Sequence, residues 1–164
     1  TLSYGEYLRV RGDLTPGEPE GGGAYVSVPS WKRTMPQRHR LVAGECRECG
    51  TLAFPPAGAC TDCGTLDDYE SVDLPGTGTV EATTVIGQGG APPEFVEQQA
   101  RRGAYVSAIV ALDGPDGWSV STPLQVLREG EDTVEVGDRV TATVRQIYTQ
   151  EGVTRYGVKM QLTD

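Results

Sequence analysis

Two short stretches, Cys46-Arg47-Glu48-Cys49-Gly50 and Cys60-Thr61-Asp62-Cys63-Gly64, decide how the middle of this chain folds; ten residues separate the two cysteine pairs. Each C-x-x-C is followed by a glycine, which lets the backbone turn tightly beneath a metal. Two such pairs place four thiolates around one tetrahedral ion at about 2.3 Å each, a structural zinc site of ribbon type. Iron is the other ion that a tetrahedron of four thiolates accepts. Four protein thiolates leave no coordination position for substrate or water, so the ion is expected to be structural. Paired disulfides would need an oxidising compartment, and a redox pair does not need a second matching knuckle. The segment between the knuckles, Thr51–Ala59, reads as a hairpin whose apolar edge is stiffened by Phe54-Pro55-Pro56.

Downstream of the cysteines the pattern changes to strands. Val80, Ala82, Thr84 and Ile86 alternate with polar residues, the period of a half-buried strand. Residues 92–103 read as a short helix, with proline in the first turn and Gly103 just past the end. Tyr105–Leu112 is nearly all apolar and reads as a central strand; Asp113–Gly117 is turn chemistry, and Trp118–Thr122 returns from it. Arg139–Tyr148 forms the next strand. Tyr156, Val158, Met160 and Leu162 then alternate against Arg155, Gly157, Lys159 and Gln161. Five strands in a segment this short must close or be covered to hide their edges. A five-stranded OB barrel fits the count and spacing, with an SH3-like barrel or a small sandwich as the alternatives.

Upstream, residues 1–44 form an extension without a core of its own. A short helix is expected near Tyr4–Arg11, a Gly/Pro/Glu-rich segment at Thr15–Gly23, and a brief strand at Ala24–Val28 that Pro29 ends. The basic run Trp31–Arg40 follows, read as irregular chain. The predicted organisation is therefore mainly β: an extension with a short helix (1–41), the cysteine ribbon (42–73) and the barrel (74–164).

Composition narrows the function. The 164 residues carry 23 Asp+Glu against 14 Lys+Arg, a net charge of −9. Such a chain repels a phosphate backbone overall, and its aromatic content of 7% is too low for a stacking platform on a barrel face. Two lysines beside twelve arginines are equally consistent with salt adaptation and with a GC-rich genome. The longest near-apolar run, Tyr105–Leu112, is far short of the roughly 18–20 residues that span a bilayer, and no basic-then-apolar leader opens the chain. A cytoplasmic protein is expected.

Catalytic groups are scarce. With four cysteines on metal no thiol is left, and the single histidine, His39, sits between Arg38 and Arg40, a setting that suits an anion contact better than a base. No G-x-S-x-G elbow is present, and Gly87-Gln88-Gly89-Gly90 lacks the G-K-[ST] of a phosphate loop.

The order of motifs is more specific than the cysteines alone. A Trp-containing segment precedes the ribbon; Phe54-Pro55-Pro56 lies between the knuckles; and Gly76-Thr77-Gly78-Thr79-Val80 opens the first barrel strand. Over roughly residues 30–163 this resembles the acyl-CoA-associated zinc-ribbon plus OB-fold family catalogued as domain of unknown function 35. The resemblance implies a rubredoxin-like ribbon followed by an OB barrel. It also implies a small non-catalytic subunit attached to a thiolase-fold enzyme, in some assemblies together with 3-hydroxy-3-methylglutaryl-CoA synthase. Other members pair with aldolases of steroid side-chain breakdown. The partner then supplies the nucleophile and the acid/base histidines. The chain departs from the family pattern in its first 28 residues and in Gln98-Gln99-Ala100-Arg101-Arg102.

CoA presents phosphates and an adenine, which call for cations and an apolar or aromatic wall. Candidates for CoA or partner contact are Trp31, Lys32, Arg33, Arg38, Arg40 and Arg47, the rigid Phe54-Pro55-Pro56 edge, and Arg101 with Arg102. The competing functions are a stand-alone acyl-CoA-binding module and a single-strand nucleic-acid module.

Overall fold

In the computed structural model the described residues are 6–7, 10, 28–87, 89–128, 133–150 and 153–163. Most of the helix expected at 4–11 and all of Thr15–Gly23 lie outside them, although Glu6, Tyr7 and Val10 are helical. Of the strand expected at 24–28, residues 24–27 also lie outside; Val28 is not a strand residue but opens a helix.

That helix, α1 (Val28–Arg40), replaces the irregular chain expected for the basic run. Pro29 falls in the first turn, where its missing N–H would be unpaired in any case, so it starts the helix and does not end a strand. Pro36 lies inside, and Arg38, His39 and Arg40 occupy the last turn, where cations favour the helix dipole. Leu41, at φ 51° and buried, turns the chain out of the helix into the first sheet.

The first sheet is antiparallel, in the order β2-β1-β3, from β1 (Val42–Cys46), β2 (Leu52–Ala53) and β3 (Tyr69–Asp73). The first knuckle itself is the turn between β1 and β2. The expected hairpin within Thr51–Ala59 does not form; β2 pairs backwards with β1 through Gly44 and Glu45. A Cβ on Gly44 would lie 2.4 Å from Pro56 Cβ and 2.9 Å from Tyr69 Cβ, so only glycine lets the sheet and the inter-knuckle loop touch.

The second sheet closes on itself in the order β4-β5-β6-β8-β7, with β7 returning to β4. Its strands are β4 (Thr77–Ile86), β5 (Tyr105–Asp113), β6 (Ser119–Leu127), β7 (Arg139–Gln150) and β8 (Val153–Leu162). All pairings are antiparallel except β6–β8, which is parallel and spans only Val126–Leu127 against Met160–Gln161. This is the closed five-stranded barrel expected of an OB fold. Its interior is filled by Val80, Val106, Val110, Leu112, Val140 and Met160, all within 2% of complete burial. Arg139 locks the closure: its guanidinium donates to both carboxylate oxygens of Asp113 at 3.1 and 2.5 Å and to Thr79 Oγ1 at 2.8 Å. Thr77 donates to the same carboxylate. These bonds join β4, β5 and β7 and hold the Asp113 carboxyl below its usual range.

The segment between β4 and β5 forms a 3₁₀ turn (Pro93–Phe95) and a short helix, α2 (Val96–Arg102), followed by Gly103 as expected. Phe95 fastens it to the barrel against the rings of Tyr105 and Tyr148, at 5.9 and 6.1 Å. This covering buries a charged side chain: Lys159 of β8 is 3% exposed, with Gln98 of α2 against its ammonium. Among the described residues no helix is long and apolar enough to cross a membrane.

Candidate metal centre and its surroundings

The two knuckles are built alike. In each, the first cysteine's N–H donates to the carbonyl of the residue five further on, Cys46 to Thr51 at 2.9 Å and Cys60 to Thr65 at 2.8 Å. The following glycine's N–H donates back to the first cysteine's carbonyl, at 2.8 and 3.0 Å. Gly50 and Gly64 both sit at φ 77°, the left-handed region that a side chain resists. Each threonine hydroxyl lies 3.3 Å from the second sulfur of its knuckle, Cys49 or Cys63. These threonines escaped the motif reading, although the sequence carries the signal: both knuckles read C-x-x-C-G-T.

The four sulfurs lie within 4.8 Å of one another. Cys46 and Cys63 are 3.6 Å apart, as are Cys49 and Cys60. A tetrahedral ion with metal–sulfur bonds of about 2.3 Å separates its ligands by about 3.8 Å. A disulfide would need about 2.05 Å. The donor set therefore fits one tetrahedral ion held by all four thiolates. The surroundings act on the sulfurs unequally: against the lowering effect of the Cys49 N–H, burial and the neighbouring thiols of Cys63 and Cys49 push Cys46 up to about 11, whereas the Thr65 hydroxyl and N–H hold Cys63 down at about 6. The N–H groups of Cys63 and Asp62 lower Cys60. Cys46 and Cys60 are buried while Cys63 is exposed, so the centre sits at a surface.

The remaining candidates do not form one site. Lys32, Arg33 and Arg40 are exposed along α1, while Arg38 is half-buried and its Nε donates to Thr34 Oγ1 at 3.0 Å. The Trp31 side chain lies outside the described residues. Arg47 stands apart on the ribbon, paired with Asp68 at 3.5 Å and Glu70 at 3.6 Å. Phe54 packs against the barrel core and Pro56 against Gly44, so of the rigid triplet it is Pro55 that faces outward. Arg101 and Arg102 are exposed at the end of α2, with Arg101 paired to Glu97 at 2.5 Å. A cleft of about 240 Å³ lies where α1, the ribbon and the barrel meet; Arg38, Leu41, Phe54, Leu124, Tyr156 and Val158 are among its lining residues.

Comparison with known proteins decides the family. Residues 33–68 match the ChsH2 rubredoxin-like zinc ribbon domain, and residues 71–145 match the ChsH2 C-terminal OB-fold domain. A DUF35 domain-containing scaffold protein of Methanocaldococcus jannaschii is 32% identical over 136 residues, which is 82% of this chain and 89% of that protein. The chain belongs to the DUF35 family. A solved DUF35 structure, described as an Ltp2–ChsH2(DUF35) aldolase, is similar at a TM-score of 0.57 with 25% identity, covering 87% of this chain and 98% of the other. The ribbon and barrel thus occur together, in this order, in DUF35 relatives. Lys159 lies beyond the matched part of the OB-fold domain.

Proposed function

We propose that this chain is a non-catalytic scaffold subunit of a thiolase-type enzyme complex. It carries a structural zinc ion on Cys46, Cys49, Cys60 and Cys63 and supports assembly and acyl-CoA binding by the catalytic subunit. The observation that carries the scaffold role is the similarity, along most of both chains, to a DUF35 protein described as a scaffold. The chemistry agrees with it. All four cysteines belong to the metal cluster, which leaves the chain no thiol nucleophile of its own. The exposed cations of α1, Lys32, Arg33 and Arg40, supply a docking strip for an acidic partner surface or a CoA phosphate. The cleft beside Arg38 and Phe54 is the place where the ribbon, helix and barrel could grip one partner together.

A second reading has its own support: the aldolase description of the solved relative favours an aldolase as the catalytic partner. Purification of the tagged chain from its native source, with mass spectrometry of what elutes, separates the readings. A stoichiometric thiolase-fold protein supports the proposal. An aldolase keeps the scaffold role and replaces the partner. A zinc-loaded chain that elutes alone would overturn the scaffold role in favour of a stand-alone acyl-CoA-binding module.

A further inference from the structure

The parallel contact between β6 and β8 is short, and at its splayed end the barrel wall opens beneath the β4–β5 insertion. A cavity of about 400 Å³ lies there, lined by Ile86, Phe95, Tyr105, Leu124, Ile147 and Val158 among its apolar residues. That is within the roughly 300–1,000 Å³ of small-molecule sites. Its polar lining includes Lys159 and Gln125.

These two groups are held in an unusual state by Gln98 of α2. Lys159 Nζ donates to Gln98 Oε1 at 2.8 Å, and Gln98 Nε2 donates to Gln125 Oε1 at 3.3 Å. An ammonium can only donate, so Gln98 must turn its oxygen to Lys159 and its nitrogen to Gln125. Gln125 must in turn present its oxygen to Gln98. Its own NH2 is thereby left over, and Gln125 Nε2 is buried without a hydrogen-bond partner among the described residues. The direction of the chain fixes this outcome; no choice of amide orientation removes it.

The charge is also unmatched. Among the described residues no carboxylate pairs with the Lys159 ammonium; its acceptor is a neutral amide. The charged groups of α2 and the preceding turn near it are Glu94, Glu97, Arg101 and Arg102, and β7 contributes Arg145. Glu97 is engaged by Arg101, and Arg102 repels the ammonium. The phenols of Tyr105 and Tyr148 complete the titratable surroundings. The cavity is therefore lined by mostly apolar walls together with Lys159, whose ammonium has only a neutral amide as acceptor among the described residues, and Gln125, whose closed-off Nε2 has no partner among them.

We infer that this cavity binds a small apolar carboxylate that takes the place of the Gln98 amide, its two oxygens accepting from Lys159 Nζ and Gln125 Nε2, both of which Gln98 otherwise covers, and its hydrocarbon lying against Phe95, Leu124 and Ile147. The site is separate from the metal centre, and the inference does not rest on the scaffold role.

The test uses the full zinc-loaded chain and octanoate as probe, with octanol and octylamine as uncharged and cationic chains of equal length. Calorimetry is expected to show saturable binding of octanoate, with octanol and octylamine at least about tenfold weaker, as for loss of a buried charge-assisted contact. Lys159→Met, which keeps the apolar stem, is expected to weaken octanoate by a similar factor. A readout that needs no variant comes from NMR of the lysine ε-CH2 groups, since only Lys32 and Lys159 contribute. Burial and Arg102 pull the Lys159 pKa down to about 8, and bound octanoate is expected to raise that value. Absence of octanoate binding, octanol binding as tightly, or an unmoved Lys159 titration would each overturn the inference.

Discussion

The ribbon and the barrel are both small β-sheets, yet they are held by different forces. The ribbon has strands of five, two and five residues, and its cluster of buried groups includes two of its own metal ligands, Cys46 and Cys60. The barrel has strands of nine to twelve residues around a contiguous apolar core, which Leu41 and Ala43 join from the ribbon side. A short sheet buries too little to offset its ordering entropy, so the ribbon depends on an ion, whereas the barrel carries its own hydrophobic stabilisation. Four spaced residues thus specify one half of the molecule, and a period-2 pattern over many residues specifies the other.

Metal removal should separate the halves most strongly. Structural zinc supplies on the order of 10 kcal/mol in small zinc-dependent folds. Chelation, or Cys46→Ser, is expected to abolish amide-exchange protection in β1–β3 while β4–β8 stay protected; loss of both sheets together would show that the barrel leans on the ribbon. The reciprocal cut is Met160→Ala at the fully buried centre of the barrel. It should lower the denaturation free energy by about 2–5 kcal/mol without changing zinc stoichiometry.

Lys159 sharpens the contrast because it puts a charge inside the better-packed half. Burial pulls its pKa down to about 8, whereas an exposed lysine titrates at about 10.4. Between those values the unfolded chain binds more protons than the folded one. Stability therefore rises with pH across that window, by up to about 3 kcal/mol. Lys159→Met should flatten the rise in denaturation curves collected between pH values of about 7.5 and 10.5, which bracket the two titrations, and an unchanged slope would assign it to other groups. The smallest effect is expected from Gly44→Ala, whose new methyl would collide with Pro56 and Tyr69. It should cost about 1–3 kcal/mol, felt in zinc affinity and ribbon protection before the barrel responds.

The same division explains what could be read from sequence. The cysteine cluster follows from spacing alone; β4 and β8 follow from alternation, β5 from its apolar run and β6 from the turn before it, with ends displaced by up to five residues, as at Leu127 and Gln150. The helix Val28–Arg40 was hidden because its prolines, at positions 29 and 36, signal breaks when taken locally. Tertiary packing against β8 and β1 overrides that signal. The burial of Lys159 was hidden for a related reason. Alternation gives a strand two faces, but only the path of a distant insertion, α2 with Gln98, decides which face meets water. Phe54-Pro55-Pro56 was legible as rigid and apolar, but not as a segment whose phenylalanine turns inward to the barrel.

The most direct test of the scaffold role is an activity measurement on separated and recombined subunits. The zinc-loaded chain, its co-purified partner and their mixture would each be assayed for CoA-dependent cleavage of acetoacetyl-CoA to two acetyl-CoA. A scaffold subunit of a thiolase-type complex should give no turnover alone and restore or strongly raise turnover when mixed with the partner. Lys32→Glu/Arg33→Glu/Arg40→Glu should weaken that recovery. Turnover by this chain alone, or a partner equally active without it, would contradict the scaffold account.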